Sequence, residues 1–159
     1  LSDAFVRTAT EADGPAIIAL LHELNRVEAA IEADRDTTEE AALACYAVCL
    51  RHVADGGAAF VSEIDGTVAG YICAAVDMAP PFVKAAERRH VWVADLVVAE
   101  RWRGRGIATL LLAAVEEFAR SAKVRHLVIG ALAGNAVANA VYEKRGFRPY
   151  TLNRIKVLA

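Results

Sequence analysis

Apolar side chains recur at Ile17, Leu20, Leu21 and Leu24, the spacing that lines one face of a helix, and Thr10-Glu11-Ala12-Asp13 just ahead of them reads as its N-terminal cap. Thr37-Thr38-Glu39-Glu40 is a stronger capping box, because a hydroxyl can close onto the backbone while a carboxylate reaches back to it. It opens a second predicted helix with Leu43, Ala47 and Leu50 on one face, ending near Asp55-Gly56-Gly57. A short strand is predicted ahead of both helices, at residues 5–8. Residues 58–64 and 67–76 then flank Asp65-Gly66, a dipeptide that accepts the positive φ angles of a tight turn, and predict an antiparallel hairpin.

Residues 77–89 carry Pro80-Pro81 and read as a loop with room for one helical turn. Residues 90–98 are rich in β-branched and aromatic side chains and predict a strand, whereas Ile107, Leu110, Leu111, Ala114, Val115 and Phe118 return to helical spacing. A further strand is expected within 123–132, a short helix over 135–145, and at least one last strand from Phe147 onward. The order βααβββαβαβ, with room for one more strand, predicts a single α/β domain over residues 1–159.

Composition and charge narrow the partners. Hydrophobic residues make up 56%, yet alanine supplies much of that, and no apolar run approaches the ~20 residues that span a bilayer, so no membrane partner or leader segment is expected. Lys+Arg number 18 against 20 for Asp+Glu, a net charge of −2 that argues against nucleic-acid binding through bulk positive charge. Three cysteines cannot pair completely, which points to a reducing, cytoplasmic setting. Cys45, Cys49 and His52 fall on neighbouring helical turns and could offer soft ligands, but no fourth ligand is evident, and cysteines as small buried hydrophobes is the preferred reading; no metal is expected.

The candidate chemistry lies at Arg101-Trp102-Arg103-Gly104-Arg105-Gly106-Ile107-Ala108, between a predicted strand and a predicted helix. A helix start leaves backbone N–H groups without intrahelical partners, its dipole favours anions, and glycine lets a ligand approach the chain, so this turn suits a phosphate. A Walker-type loop is excluded, because no Gly-Lys-Ser or Gly-Lys-Thr follows. A dinucleotide fingerprint asks for glycine or alanine where Thr109 stands, and for an acidic residue in the next strand, but residues 123–132 contain none.

Arg101-x-x-Gly104-x-Gly106 resembles the Arg/Gln-x-x-Gly-x-Gly/Ala signature of the GNAT superfamily, the acyl-CoA-dependent N-acyltransferases. Downstream, Asn135-Ala136-Val137-Ala138-Asn139-Ala140-Val141-Tyr142-Glu143-Lys144-Arg145-Gly146-Phe147 resembles that family's Asn-x-x-Ala-x-x-x-Tyr-Glu-Lys-x-Gly-Phe. The resemblance implies a mixed central sheet flanked by helices, in which two parallel strands splay apart to admit the pantetheine arm of acetyl-CoA. It places the pyrophosphate against backbone N–H groups from Arg103 to Ala108, through Gly104, Arg105, Gly106 and Ile107. Arg101, Arg103 and Arg105 either add charge-assisted contacts or form a solvated surface. The pantetheine amides would pair with the strand backbone at Leu96, Val97 and Val98, and the Leu96 N–H would stabilise the oxyanion. Tyr142 matches the tyrosine that protonates the leaving thiolate, and Asn135 either holds a cofactor amide or caps its helix.

The general base is the least defined part of that resemblance. Many relatives resembling polyamine acetylases carry Glu where this chain has Ala94; Asp95 faces away from position 94 on a regular strand unless a bulge shifts the parity, and a water chain or an already neutral amine would serve without it. His90 and His22 are weaker candidates. Residues 22–40 contain seven carboxylates, Glu23, Glu28, Glu32, Asp34, Asp36, Glu39 and Glu40, against Arg26 and Arg35. They form either a field attracting a cationic amine or a solvated helical face. The expected reaction is acetyl transfer from acetyl-CoA to a primary amine of a small molecule, with a protein N-terminus or lysine as alternative acceptor and a CoA-binding module without catalysis as the alternative class. Homodimers are frequent among the relatives this chain resembles.

Overall fold

The computed structural model describes residues 4–158. Five strands form one sheet: β1 (Phe5–Thr8), β2 (Ala58–Ile64), β3 (Thr67–Met78), β4 (Arg89–Val98) and β5 (His126–Ile129), arranged in that order. The first three pairings are antiparallel and β4–β5 is parallel. Helices α1 (Gly14–Ala29) and α2 (Glu39–Ala54) cover one face, where Ile17, Leu21, Cys49, Tyr71, Cys73 and Val97 are buried together. Helix α3 (Ile107–Ser121) covers the other, packing Ile107, Leu111, Leu112 and Val115 on Ile72, Val91 and Val93. The short α4 (Ala136–Lys144) follows β5 on that second side. No described helix is long and apolar enough to cross a membrane.

The predicted hairpin forms as expected, with Asp65 at φ 49° and Gly66 at φ 72° closing β2 onto β3. Thr10 and Asp13 form the predicted capping box ahead of α1. Asp13 is buried and also receives two 2.8 Å bonds from Arg7, which holds its carboxyl well below the ordinary carboxylate range. Arg7 bonds Glu63 as well, at 2.9 Å, tying β1 to β2 and to the start of α1. At α2 the cap sits at Thr38, whose hydroxyl accepts from the Ala41 N–H at 3.2 Å, while Asp36 accepts from the Thr38 N–H and hydroxyl.

Two expectations are corrected. Leu43, Ala47 and Leu50 of α2 do not face the core: Leu43 is 56% and Leu50 48% exposed, and the buried positions are Ala42 and Cys49. Apolar residues surround α2 on nearly every side, so periodicity alone did not select a face. Small Ala42 and Cys49 let the helix lie close to the sheet, where leucines would hold it away. The strand expected after Phe147 is also absent among the described residues, and Tyr150, Leu152, Ile155, Val157 and Leu158 are exposed. A strand needs a partner ladder; β5 is only four residues long, and Pro149 lacks a donor.

Candidate active site

The site begins with a defect in β4. Asp95 pairs with Cys73, but Val93 pairs with Ala74, so Ala94 is one residue too many on its strand and forms a β-bulge. The bulge resets the alternation. Val91 and Val93 face α3, Ala94 and Val97 face α1 and α2, and Leu96 and Val98 again face α3. Asp95 therefore shares the α1–α2 side with Ala94, the parity shift that its candidacy as a base required.

Strand β5 pairs with β4 only from His90 to Val93. Beyond the bulge the two parallel strands diverge, and Leu96, Val97 and Val98 border a cleft of 680 Å³. The cleft is lined also by Leu24 and Val27 of α1, Arg103, Gly104, Gly106, Ile107 and Ala108 of the turn, and Asn135 and Tyr142 around α4. An uncovered strand edge presents N–H and C=O groups, which an extended amide-bearing ligand can pair with.

The turn after β4 is shaped by its glycines. Gly104 (φ 75°) and Gly106 (φ 79°) both adopt the left-handed conformation that other residues rarely tolerate, and Gly106 is the N-cap of α3 without any side-chain cap. Gly106, Ile107 and Ala108 thus bring the start of α3, where backbone N–H groups lack intrahelical partners and the helix dipole is positive, to the cleft. Gly70 on β3 lets α3 approach: a Cβ there would lie 3.0 Å from the Val97 carbonyl and 3.1 Å from Ile107 and Leu111 side chains. The three arginines take different positions. Arg101 and Arg105 lie over the Trp102 ring, 5.5 Å and 4.9 Å from its centroid, whereas Arg103 lines the cleft and bonds the Val98 carbonyl and Glu23.

On the opposite wall, Asn135 caps α4 by accepting from the Ala138 N–H at 3.1 Å, which leaves its amide N–H groups for another partner. The end of α4 explains the downstream motif physically. Gly146 (φ 84°) stops the helix while its N–H bonds the Glu143 carbonyl and that of Phe147 bonds the Tyr142 carbonyl, a Schellman cap. Phe147 is thereby folded back against Tyr142, with ring centroids 5.9 Å apart. Arg145 ties α4 to α3 through a 2.6 Å bond to Glu116.

Titratable groups converge near the bulge. Burial, with Glu28 as a second cause, raises Asp95 to about 6 and Tyr142 to about 12. Burial and the charge of Asp95 also push the Cys45 thiol up. Glu28, on the last turn of α1, thus acts electrostatically on groups of α2, β4 and α4, while bonding Arg35 at 2.9 Å. Reading the sequence placed Glu28 only within a diffuse acidic run. Its spacing from Glu23 on α1 was the available signal, but which carboxylate acts on Asp95 and Tyr142 depends on how α1 crosses the sheet. Cys49 is turned into the core against Tyr71 and Cys73, away from any site shared with His52. His22 contacts the Thr37 carbonyl at 2.8 Å and His90 the Arg88 carbonyl at 3.0 Å, so both serve loop geometry.

Residues 18–147 match the model of the Acetyltransferase (GNAT) family. The chain belongs to the GNAT acetyltransferase family. Among solved structures, the aminoglycoside N-acetyltransferase AAC(6')-Iy in complex with a bisubstrate analog, CoA-S-monomethyl-acetylneamine, superposes with a TM-score of 0.76 at 20% identity, covering 99% of both chains. A Trypanosoma brucei acetyltransferase gives 0.69 at 20% identity over 98% of this chain and 100% of that one. A putative acetyltransferase from Agrobacterium tumefaciens gives 0.71 at 23% identity over 96% and 99%. At such identities the likeness is one of fold. A comparison with curated proteins finds no match. The GNAT fold thus accounts for the mixed sheet, the splayed β4 and β5, and the glycine turn at the head of α3.

Proposed function

We propose that this GNAT chain transfers the acetyl group of acetyl-CoA to a primary amine of a small molecule. The observation that carries the reading is the meeting, in one cleft, of the β4 edge at Leu96 to Val98, the glycine turn from Arg103 to Ala108, and Tyr142. The residues fit the cofactor's chemistry: backbone donors at a helix start for a diphosphate, and a strand edge for two amides. Acetyl-CoA supplies an acetyl group already activated as a thioester. The Leu96 N–H would receive the charge building on the carbonyl oxygen, an interaction typically worth ~3 kcal/mol in a dry cleft.

Tyr142 would protonate the departing thiolate. Burial keeps its proton in place at neutral pH, with a pKa raised to about 12, so it is a donor throughout the working range. Asp95, raised to about 6, is ionised at neutral pH yet basic enough to accept a proton from an ammonium acceptor directly or through water. Neither Asp95 nor Glu28 lines the cleft itself, but Glu28 acts on both Asp95 and the cleft residue Tyr142, and negative charge so close to the cleft would favour a cationic small molecule. AAC(6')-Iy, whose fold this chain shares, is an aminoglycoside acetyltransferase, and an aminosugar or other polyamine is the acceptor class we favour.

The test is incubation of the pure protein with acetyl-CoA and a panel of amines, with free thiol followed and products identified by mass. Thiol release dependent on a small cationic amine is the expected result. Tight CoA binding with no amine turned over would make the chain a binding module, and turnover of peptide amines alone would reassign the acceptor.

A further inference from the structure

We propose that Glu23 is a positioning residue for the diphosphate of acetyl-CoA, acting through Arg103; the inference rests on the cofactor reading above. Glu23 lies on α1, the wall of the cleft that also contributes Leu24 and Val27. Its Oε1 accepts two bonds from the phosphate-binding turn: the Glu100 N–H at 2.8 Å and Arg103 Nη2 at 2.6 Å. Arg103 Nε donates to the carbonyl of Val98, the last residue of β4, at 3.0 Å. The guanidinium is planar, so a contact at Nε and another at Nη2 fix its orientation, and three N–H groups are left over by those two bonds. Arg103 borders the cleft beside Gly104 and Gly106, where the diphosphate would lie.

Glu23 therefore does two things at once. It turns Arg103 so that its remaining donors serve the cleft, and through the Glu100 N–H it holds the short helical turn, Glu100–Trp102, that leads into the glycines. The pair is not there mainly for stability: the side chains are 41% and 32% exposed, and exposed ion pairs contribute little to folding. A carboxylate near a diphosphate also repels it, and solvent together with the intervening Arg103 charge damps that repulsion. Orientation thus outweighs repulsion, and removing Glu23 weakens the cofactor.

The experiment compares wild type, Glu23→Ala, Glu23→Gln and Arg103→Ala by CoA titration, and by kinetics with acetyl-CoA and with S-acetylpantetheine, which lacks the diphosphate. Glu23→Ala should bind CoA about tenfold more weakly, with KM for acetyl-CoA raised and kcat near wild type. With S-acetylpantetheine its kcat/KM should stay within about twofold, because no diphosphate is present to be held. Glu23→Gln keeps an acceptor oxygen and should recover part of the loss, and in the Arg103→Ala background Glu23→Ala should cost clearly less than it does in wild type, the remainder being the Glu100 contact. Equal or tighter CoA binding by Glu23→Ala, or an equal loss with both thioesters, overturns the assignment. Failure of the wild type to bind CoA is a different result, which removes the cofactor reading itself.

Discussion

The two sides of β4 are built by different means. Toward β5 the strand offers backbone, and the glycine turn continues in kind, so in the proposed reading recognition there rests mainly on where N–H groups point, with Arg103 as an added side chain. Toward α1 and α2 the same strand offers Asp95, and the charge state of that side depends on burial and on Glu28, a carboxylate from a separate element. The first kind of site is written in local sequence, because glycines and strand patterning dictate backbone geometry. The second is assembled by packing, and one extra residue at Ala94 decides which way Asp95 points.

Substitutions can separate the two sides, and the largest effect is expected at the chemistry they share. Tyr142→Phe keeps the ring against Phe147 and should lower kcat about a hundredfold with CoA affinity nearly unchanged, measured by thiol release and titration. Unaltered turnover would remove Tyr142 from the acid role. Asp95→Asn should lower kcat/KM about thirtyfold and abolish a rise in activity with pH centred on about 6, since only the carboxylate accepts a proton.

The same substitution should stabilise the fold. The folded pKa of Asp95 lies above the unfolded one, so ionisation costs stability as pH rises from about 4 through 6; Asp95→Asn should then exceed wild type by up to about 3 kcal/mol at pH 7 and match it near pH 4. A variant less stable than wild type at pH 7 would show that Asp95 is a structural ion partner.

Asp13→Asn tests the scaffold far from the cleft. Its folded pKa is depressed by Arg7, so its stabilisation is present above the unfolded pKa near 4 and is lost as pH falls; denaturant melts at pH 7 should show a loss of about 2 kcal/mol that vanishes in acid, with CoA affinity intact. Gly106→Ala should cost about 1 kcal/mol of stability at φ 79° and weaken CoA rather than the amine, so an effect confined to the amine KM would contradict the division of labour across β4.

The glycine turn and the Asp65-Gly66 hairpin were legible because each is a backbone conformation that few residues tolerate, set within a handful of neighbours. The outward Leu43 and Leu50, the unpaired residues after Phe147, the attachment of Arg103 to Glu23 and the reach of Glu28 toward Asp95 and Tyr142 were not. Each of these depends on a partner tens of residues away.

By itself, the sequence determined the order of elements as far as α4, the family signature and the places where the backbone bends sharply, since local sterics and hydrogen bonding suffice for those. Only the tertiary structure decided which face of α2 is buried, that Ala94 bulges, that Glu28 of α1 acts on Asp95 of β4, and that Glu23 of α1 bonds the glycine turn. Those are outcomes of packing, in which residues far apart in the chain compete for the same space and the same charge.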